Sequence, residues 1–278
     1  MELLTRSASV RDRVGIWRAA GARIALVPTC GTLHKGHMSL VAEAQERADQ
    51  VIVSIFADPF KRETPTLEAD RDLLQKMGAS VLFAPPMQEL FPTGRELAAL
   101  VTVPNLADVL EGAQRPGYFA GISTVFVKLI NLIKPDIAVF GDRDFQQLAI
   151  VRRIVDDLFL PVVILSCATW RESDGLADAS ANRRLNADER SIAPRLYATL
   201  TQLAAKIDGG ERDYDVLQRQ GKSALKAAGF VPEYLEIRQA LDLEPVTGST
   251  RDLVILAAAR LNAIRLTDNL RVRLIERH

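Results

Sequence analysis

The chain's 278 residues suffice for one large domain or two ordinary ones, and 48% hydrophobic with 25% charged residues is a globular composition with material for a core. Lys plus Arg and Asp plus Glu stand at 35 each, so no net charge draws the chain to nucleic acid or an anionic membrane, and neither is expected as a partner. Cys30 and Cys167 are too few for a disulfide framework or a thiolate zinc site. No run approaches the length of a membrane-spanning helix or forms a secretory signal, so a cytoplasmic protein with reduced thiols is expected.

In chain order, residues 10–20 read as a short helix. The apolar run Arg23 to Pro28 follows as a buried strand, then a Gly/Thr/His segment. Met38 to Asp49 has helical spacing, with Leu40, Val41 and Ala44 on one face, and Val51 to Phe56 is a second buried-strand run. Strand, glycine-containing loop, helix and strand make one βαβ unit, which implies a parallel sheet. The alternation continues: a helix over 67–77, a strand over 80–84 stopped by Pro85-Pro86, a helix over 124–132 and a strand over 136–140. The loop Gly141 to Asp144, a helix over 145–158 and a strand over 162–165 complete it. This predicts a Rossmann-like, doubly wound α/β domain over 1–170, with the loops 29–37 and 141–144 at the carboxyl ends of parallel strands, where such sheets bind ligands. After about residue 170 the texture changes to helices over 187–208 and 213–228 and strands near 234–238, 253–258 and 263–266, a smaller α+β domain over 171–278.

Of three histidines, His34 and His37 fall at a loop-to-helix junction beside Gly31 and Gly36, and the third is His278. Glycine admits close approach of backbone amides to a ligand, and a helix start presents unpaired N–H groups and partial positive charge to an anion. Imidazoles placed there donate hydrogen bonds to phosphoryl oxygens as charge develops on them. Two histidines three apart also suit a metal, but no nearby Cys or carboxylate cluster completes a ligand set, and no metal site is expected.

The segment Val27-Pro28-Thr29-Cys30-Gly31-Thr32-Leu33-His34-Lys35-Gly36-His37 resembles the HxGH-type nucleotide site of the pantothenate synthetase (pantoate–β-alanine ligase) family. The resemblance runs on through Val53 to Phe56, Leu110 to Ala113 with Arg115 to Gly117, Lys134 to Asp136 and Phe140-Gly141. It continues through Asp144 to Leu148, Arg171 to Leu176 and Tyr234 to Glu236, nearly the whole chain. It implies a nucleotidyltransferase-type Rossmann domain with a smaller C-terminal domain, usually a homodimer. The implied reaction converts ATP and pantoate to pantoyl adenylate, which β-alanine then attacks to give pantothenate and AMP, with Mg²⁺ assisting. By the same resemblance, His37, His34 and Arg143 are expected to be catalytic. Cys30, Gly31, Gly36, Gly141, Asp144, Trp170 and Ser180 are expected to complete the ATP site with the two histidines, and Gln147, Lys61 and Asp58 to contact the substrate acid.

Several positions depart from the family pattern. Cys30 stands for Met, Arg143 for Lys, and Asp58-Pro59-Phe60-Lys61 for an Asn-Pro-Thr-Gln run. Asp178-Ala179-Ser180-Ala181 stands for a Met-Ser-Ser-Arg loop that normally grips phosphate. These departures motivate two alternatives: a relative that adenylates a different carboxylic acid or uses a different amine, and a non-catalytic nucleotide-binding relative.

Overall fold

Runs of aliphatic residues that are apolar at every position, such as Ile24-Ala25-Leu26-Val27, form strands covered on both faces, and amphipathic segments between them form the covering helices. The computed structural model describes residues 1–56 and 67–274, which form two units, Met1–Ala168 and Thr169–His278. Asp58 and Lys61, expected to contact the acid, lie outside the described residues, as does His278.

The N-terminal unit runs β1 (Glu2–Leu4), α1 (Ser7–Ala19), β2 (Ile24–Thr29), α2 (Lys35–Arg47), β3 (Gln50–Ile55), α3 (Leu67–Lys76) and β4 (Val81–Phe83). It continues through α4 (Met87–Leu90), α5 (Glu111–Gln114), α6 (Tyr118–Ile133), β5 (Ile137–Gly141), α7 (Phe145–Asp157) and β6 (Val163–Cys167). The sheet order is β1-β4-β3-β2-β5-β6, parallel throughout. From β2 the chain winds outward one way to β3, and after β4 it returns to add β5 and β6 on the other side of β2. The switch point of this doubly wound sheet therefore lies between β2 and β5, which pair at Ala25↔Ile137 and Leu26↔Ala138. The loops after Thr29 and Gly141 thus open side by side at the carboxyl edge.

Two features depart from the periodicity reading. The three-residue β1 pairs with β4 at an edge and is too short to carry a pattern. Helix α6 starts at Tyr118 rather than near Thr124, because Gly117, left-handed at φ 79°, turns the chain into the helix and the apolar face continues through Phe119.

The C-terminal unit holds α8 (Ala187–Ile192), α9 (Arg195–Asp208), α10 (Tyr214–Ala227), β7 (Val231–Gln239), β8 (Asp252–Leu261) and β9 (Ile264–Arg273). Its antiparallel sheet β7-β8-β9 packs Leu235, Ile255 and Leu266 with Leu200 and Leu217 of the helices. Arg171 anchors the segment before α8. Its guanidinium donates to both carboxylate oxygens of buried Asp268 at 2.7 and 2.9 Å and stacks 3.5 Å over the Tyr197 ring. Gly175, at φ 91°, passes so close to Tyr197 that a Cβ would lie 2.8 Å from its ring. In this unit the Arg171 to Leu176 motif is thus held by structural contacts.

Candidate functional site

The loop between β2 and α2 is bent by two consecutive left-handed residues, Gly31 at φ 79° and Thr32 at φ 55°. Thr32 is the costly one, since a β-branched residue seldom takes this conformation. A buried carboxylate holds it there: Asp70 of α3, 3% exposed, accepts the backbone N–H of Thr32 through Oδ2 and that of Leu33 through Oδ1, both at 2.8 Å. Leu33 is driven into the core beneath, 2% exposed. His34 then caps α2 in extended conformation, and its carbonyl accepts from the N–H groups of His37 and Met38 at 2.9 and 3.2 Å.

The two imidazoles lie with ring centroids 4.0 Å apart and planes tilted by 55°. Nδ1 of His37 accepts the backbone N–H of His34 at 3.3 Å, which assigns the ring proton of neutral His37 to Nε2. His37 therefore carries a donor on the atom remote from its own backbone. Both rings, Gly36 and the first turn of α2 are half-buried, and Lys35 is exposed.

Beside this loop, Gly141 ends β5 and Asp142–Asp144 form one 3-10 turn leading into α7. A Cβ on Gly141 would meet Leu40 of α2 at 3.8 Å, so the end of β5 packs against α2 at the switch point. Arg143 lies 3.9 Å from the Asp144 carboxylate; its side chain is 24% exposed and that of Asp144 64%. Cys167, at the end of β6, is raised to about 11 by burial and by the Glu43 and Asp142 carboxylates, so its thiol stays protonated at neutral pH.

An open cavity starts at Pro28, Thr29 and Cys30, where the histidine loop begins. It runs between β3 and α6, walled by Phe56, Phe91, Ile122, Val125, Phe126 and Phe140. Gln147 faces it from α7. The adjacent Gln146 does not line it. Its amide donates to the carbonyls of Leu106 and Val109, both at 2.8 Å, and accepts the Glu111 N–H at 3.1 Å. That network pins the tight turn leading into α5, against which Gly112 of α5 packs so closely that a Cβ there would fall 1.8 Å from the Ala107 carbonyl oxygen.

The N-terminal unit thus carries Cys30, Gly31, His34, Gly36, His37, Gly141, Arg143, Asp144 and Gln147 on elements that converge at its carboxyl edge. Trp170 and Ser180 belong to the C-terminal unit. There the Trp170 carbonyl accepts the Asp178 N–H at 3.0 Å, and Ser180 begins a 3-10 turn to Arg184. Asp70 and Arg95 are site-edge residues that the sequence pattern does not mark, and Ser54 lies in the Val53 to Phe56 run without being singled out there. Asp70 acts 38 residues away from the loop it holds, and Arg95 sits in a non-repetitive stretch.

A family model described as pantoate-beta-alanine ligase matches residues 2–271. The pantothenate synthetase of Stutzerimonas stutzeri is 48% identical over 280 residues, covering 98% of both chains. That of Nitrosococcus oceani is 45% identical, covering 99% of both. Among solved structures, the pantothenate synthetase of Thermus thermophilus is 36% identical, with a TM-score of 0.87 over 97% of this chain and 99% of that one. The Francisella tularensis pantoate-beta-alanine ligase, crystallised with beta-gamma ATP and beta-alanine, is 27% identical with a TM-score of 0.78 over 97% of each chain. The chain therefore belongs to the pantoate–β-alanine ligase family.

Proposed function

We infer that the protein is an ATP-dependent ligase that joins pantoate to β-alanine through a pantoyl adenylate. The observation that carries this reading is that two sites meet at one segment. Pro28 to Cys30 line an apolar cavity suited to a branched aliphatic acid and lead directly into the His34–His37 helix start, which suits a polyanion. In the first step a carboxylate oxygen of pantoate attacks the α-phosphorus, and the bond to pyrophosphate breaks. In the second, the β-alanine amine attacks the acyl carbon, the bond to AMP breaks, and the nitrogen loses a proton as the amide forms.

Residue roles follow from position. His37 donates from Nε2 to a phosphoryl oxygen as charge grows, assisted by His34 and by the guanidinium of Arg143. Gly31 and Gly36 let backbone amides approach the phosphates, Cys30 packs on the nucleotide, and Gly141 and Asp144 hold the adenosine. Gln147 binds the hydroxyl and carboxylate of pantoate. Trp170 and Ser180 are assigned to ATP, and Asp58 and Lys61 to the acid, by family resemblance alone. Mg²⁺ accompanies the triphosphate and offsets its charge. Such an ion would be held mainly by the phosphate oxygens.

We also assign the protein to the cytoplasm and to a homodimer. No helix among the described residues is long and apolar enough to cross a membrane. The dimer is supported by an apolar patch beside edge strand β6, where Leu158, Phe159 and Val163 are 49%, 91% and 55% exposed. The reaction is tested by AMP release from ATP, Mg²⁺, pantoate and β-alanine. AMP formation that requires both pantoate and β-alanine supports the assignment. AMP formed only with another acid or amine moves it to that substrate, and no ATP turnover overturns it.

A further inference from the structure

The cavity beside Cys30 is apolar over most of its wall, and its few polar groups therefore decide what it accepts. Arg95, half-buried in the stretch between α4 and α5, is the one charged side chain among the described residues that line it. It lies against α6, with Nη2 3.3 Å from where a Cβ on Gly121 would stand, so the absence of a side chain at Gly121 leaves room for the guanidinium. A second polar group comes from β3. Ser54, at the carboxyl end of β3, is 0% exposed, lines the cavity, and its Oγ has no hydrogen-bond partner among the described residues. Thr29, beside it, is already engaged, donating to the Ser54 carbonyl at 2.8 Å. A buried hydroxyl left without a partner is costly unless a ligand completes it.

We propose that Arg95 shares the carboxylate of the acid with Gln147 and sets the cavity's preference for an anionic hydroxy acid, with Ser54 Oγ meeting one of the acid's hydroxyls. This rests on the ligase reading above. A guanidinium offers two parallel N–H donors to a carboxylate, and an apolar wall strengthens that pairing by excluding water. Neutral compounds of the same shape, such as pantoamide, lose the pairing and leave the cation facing an uncharged group. Arg95 thus acts on recognition and placement of the acid, whereas His34 and His37 act on the phosphates.

The experiment begins with the wild-type protein, ATP, Mg²⁺, pantoate and β-alanine. Absence of AMP there overturns the ligase reading, independently of Arg95. With turnover established, Arg95→Gln is expected to raise KM for pantoate by about tenfold to a hundredfold. KM for ATP should stay within about twofold, and Arg95→Lys should recover part of the loss. Ser54→Ala should raise KM for pantoate by a smaller factor. Calorimetry on the wild-type protein should show pantoate binding at least about tenfold tighter than pantoamide, a preference that Arg95→Gln removes. An unchanged KM for pantoate in Arg95→Gln overturns the proposal, as does an equal rise in KM for ATP. Equal binding of pantoate and pantoamide by the wild-type protein overturns it without any variant having to fold.

Discussion

His37 owes its proposed role to a hydrogen bond it accepts. Because Nδ1 takes the His34 N–H at 3.3 Å, the ring presents Nε2–H as a donor without needing to be charged. The same bond fixes ring orientation, so the donor is placed before substrate arrives and little reorganisation is needed in the transition state. His37→Ala removes donor and orientation together. It is expected to slow AMP formation by at least about a hundredfold, the usual effect of losing a preorganised donor. The thermal midpoint should hardly change, because the half-buried ring fills no core space. Rapid-quench measurement of adenylate formation checks this, and unchanged turnover would remove His37 from the chemistry.

At the scale of elements, the site depends on α3 gripping a loop that precedes it by 38 residues. Asp70 neutralises two backbone donors at the one place among the described residues where a β-branched residue is left-handed. Asp70→Asn keeps one carbonyl acceptor and turns an NH₂ group toward the other N–H. It is expected to cost about 2–3 kcal/mol, the range for a hydrogen bond to a charged group with its buried donor left unpaired. KM for ATP should rise with it, as the start of α2 loosens. Urea unfolding and an ATP titration measure the two effects, and a destabilised variant with wild-type ATP affinity would uncouple Asp70 from the site. The contrast between Asp70 and His37 shows what was legible in the sequence. The strand–loop–helix frame could be read because apolar runs and helical spacing are local, and the histidines stood out beside glycines in that frame. Asp70 and Arg95 could not be read, because their roles come from contacts across the fold, and Ser54 could be placed on its strand but not against the cavity. The twin glutamines make the same point: Gln146 and Gln147 are neighbours in sequence, yet one pins a turn and the other faces the cavity.

For the whole molecule, pH and assembly are the exposed levers. Asp136 is pushed up by burial, but hydrogen bonds from Arg18 and the Ile24 N–H, with the charges of Arg18 and Arg23, outweigh this and leave its carboxyl below the usual range. Asp174 is lowered mainly by its bond to Arg190, and Asp252 by its bond to Arg271. A carboxyl depressed on folding adds stability above its unfolded pKa and loses it as pH falls through the folded value. These three therefore contribute nothing to slope near neutrality, and their stabilisation fades below about pH 4. Partial exposure limits each to about 1 kcal/mol or less. Chemical denaturation across pH should show a shallower acid decline in Asp136→Asn, and an unchanged slope would assign the decline to other groups. Assembly gives the sharper test, because Phe159 combines two penalties. It is 91% exposed and sits at φ 51°, a conformation that suits Asp or Asn far better than Phe. If a second copy covers it, Phe159→Asp buries a charge in an apolar interface, and the particle should fall to half its mass in light scattering. If nothing covers it, the same change relieves backbone strain and removes exposed apolar surface, so the mass stays constant and the thermal midpoint rises. The two outcomes move in opposite directions, and the dimer assignment stands only on the first.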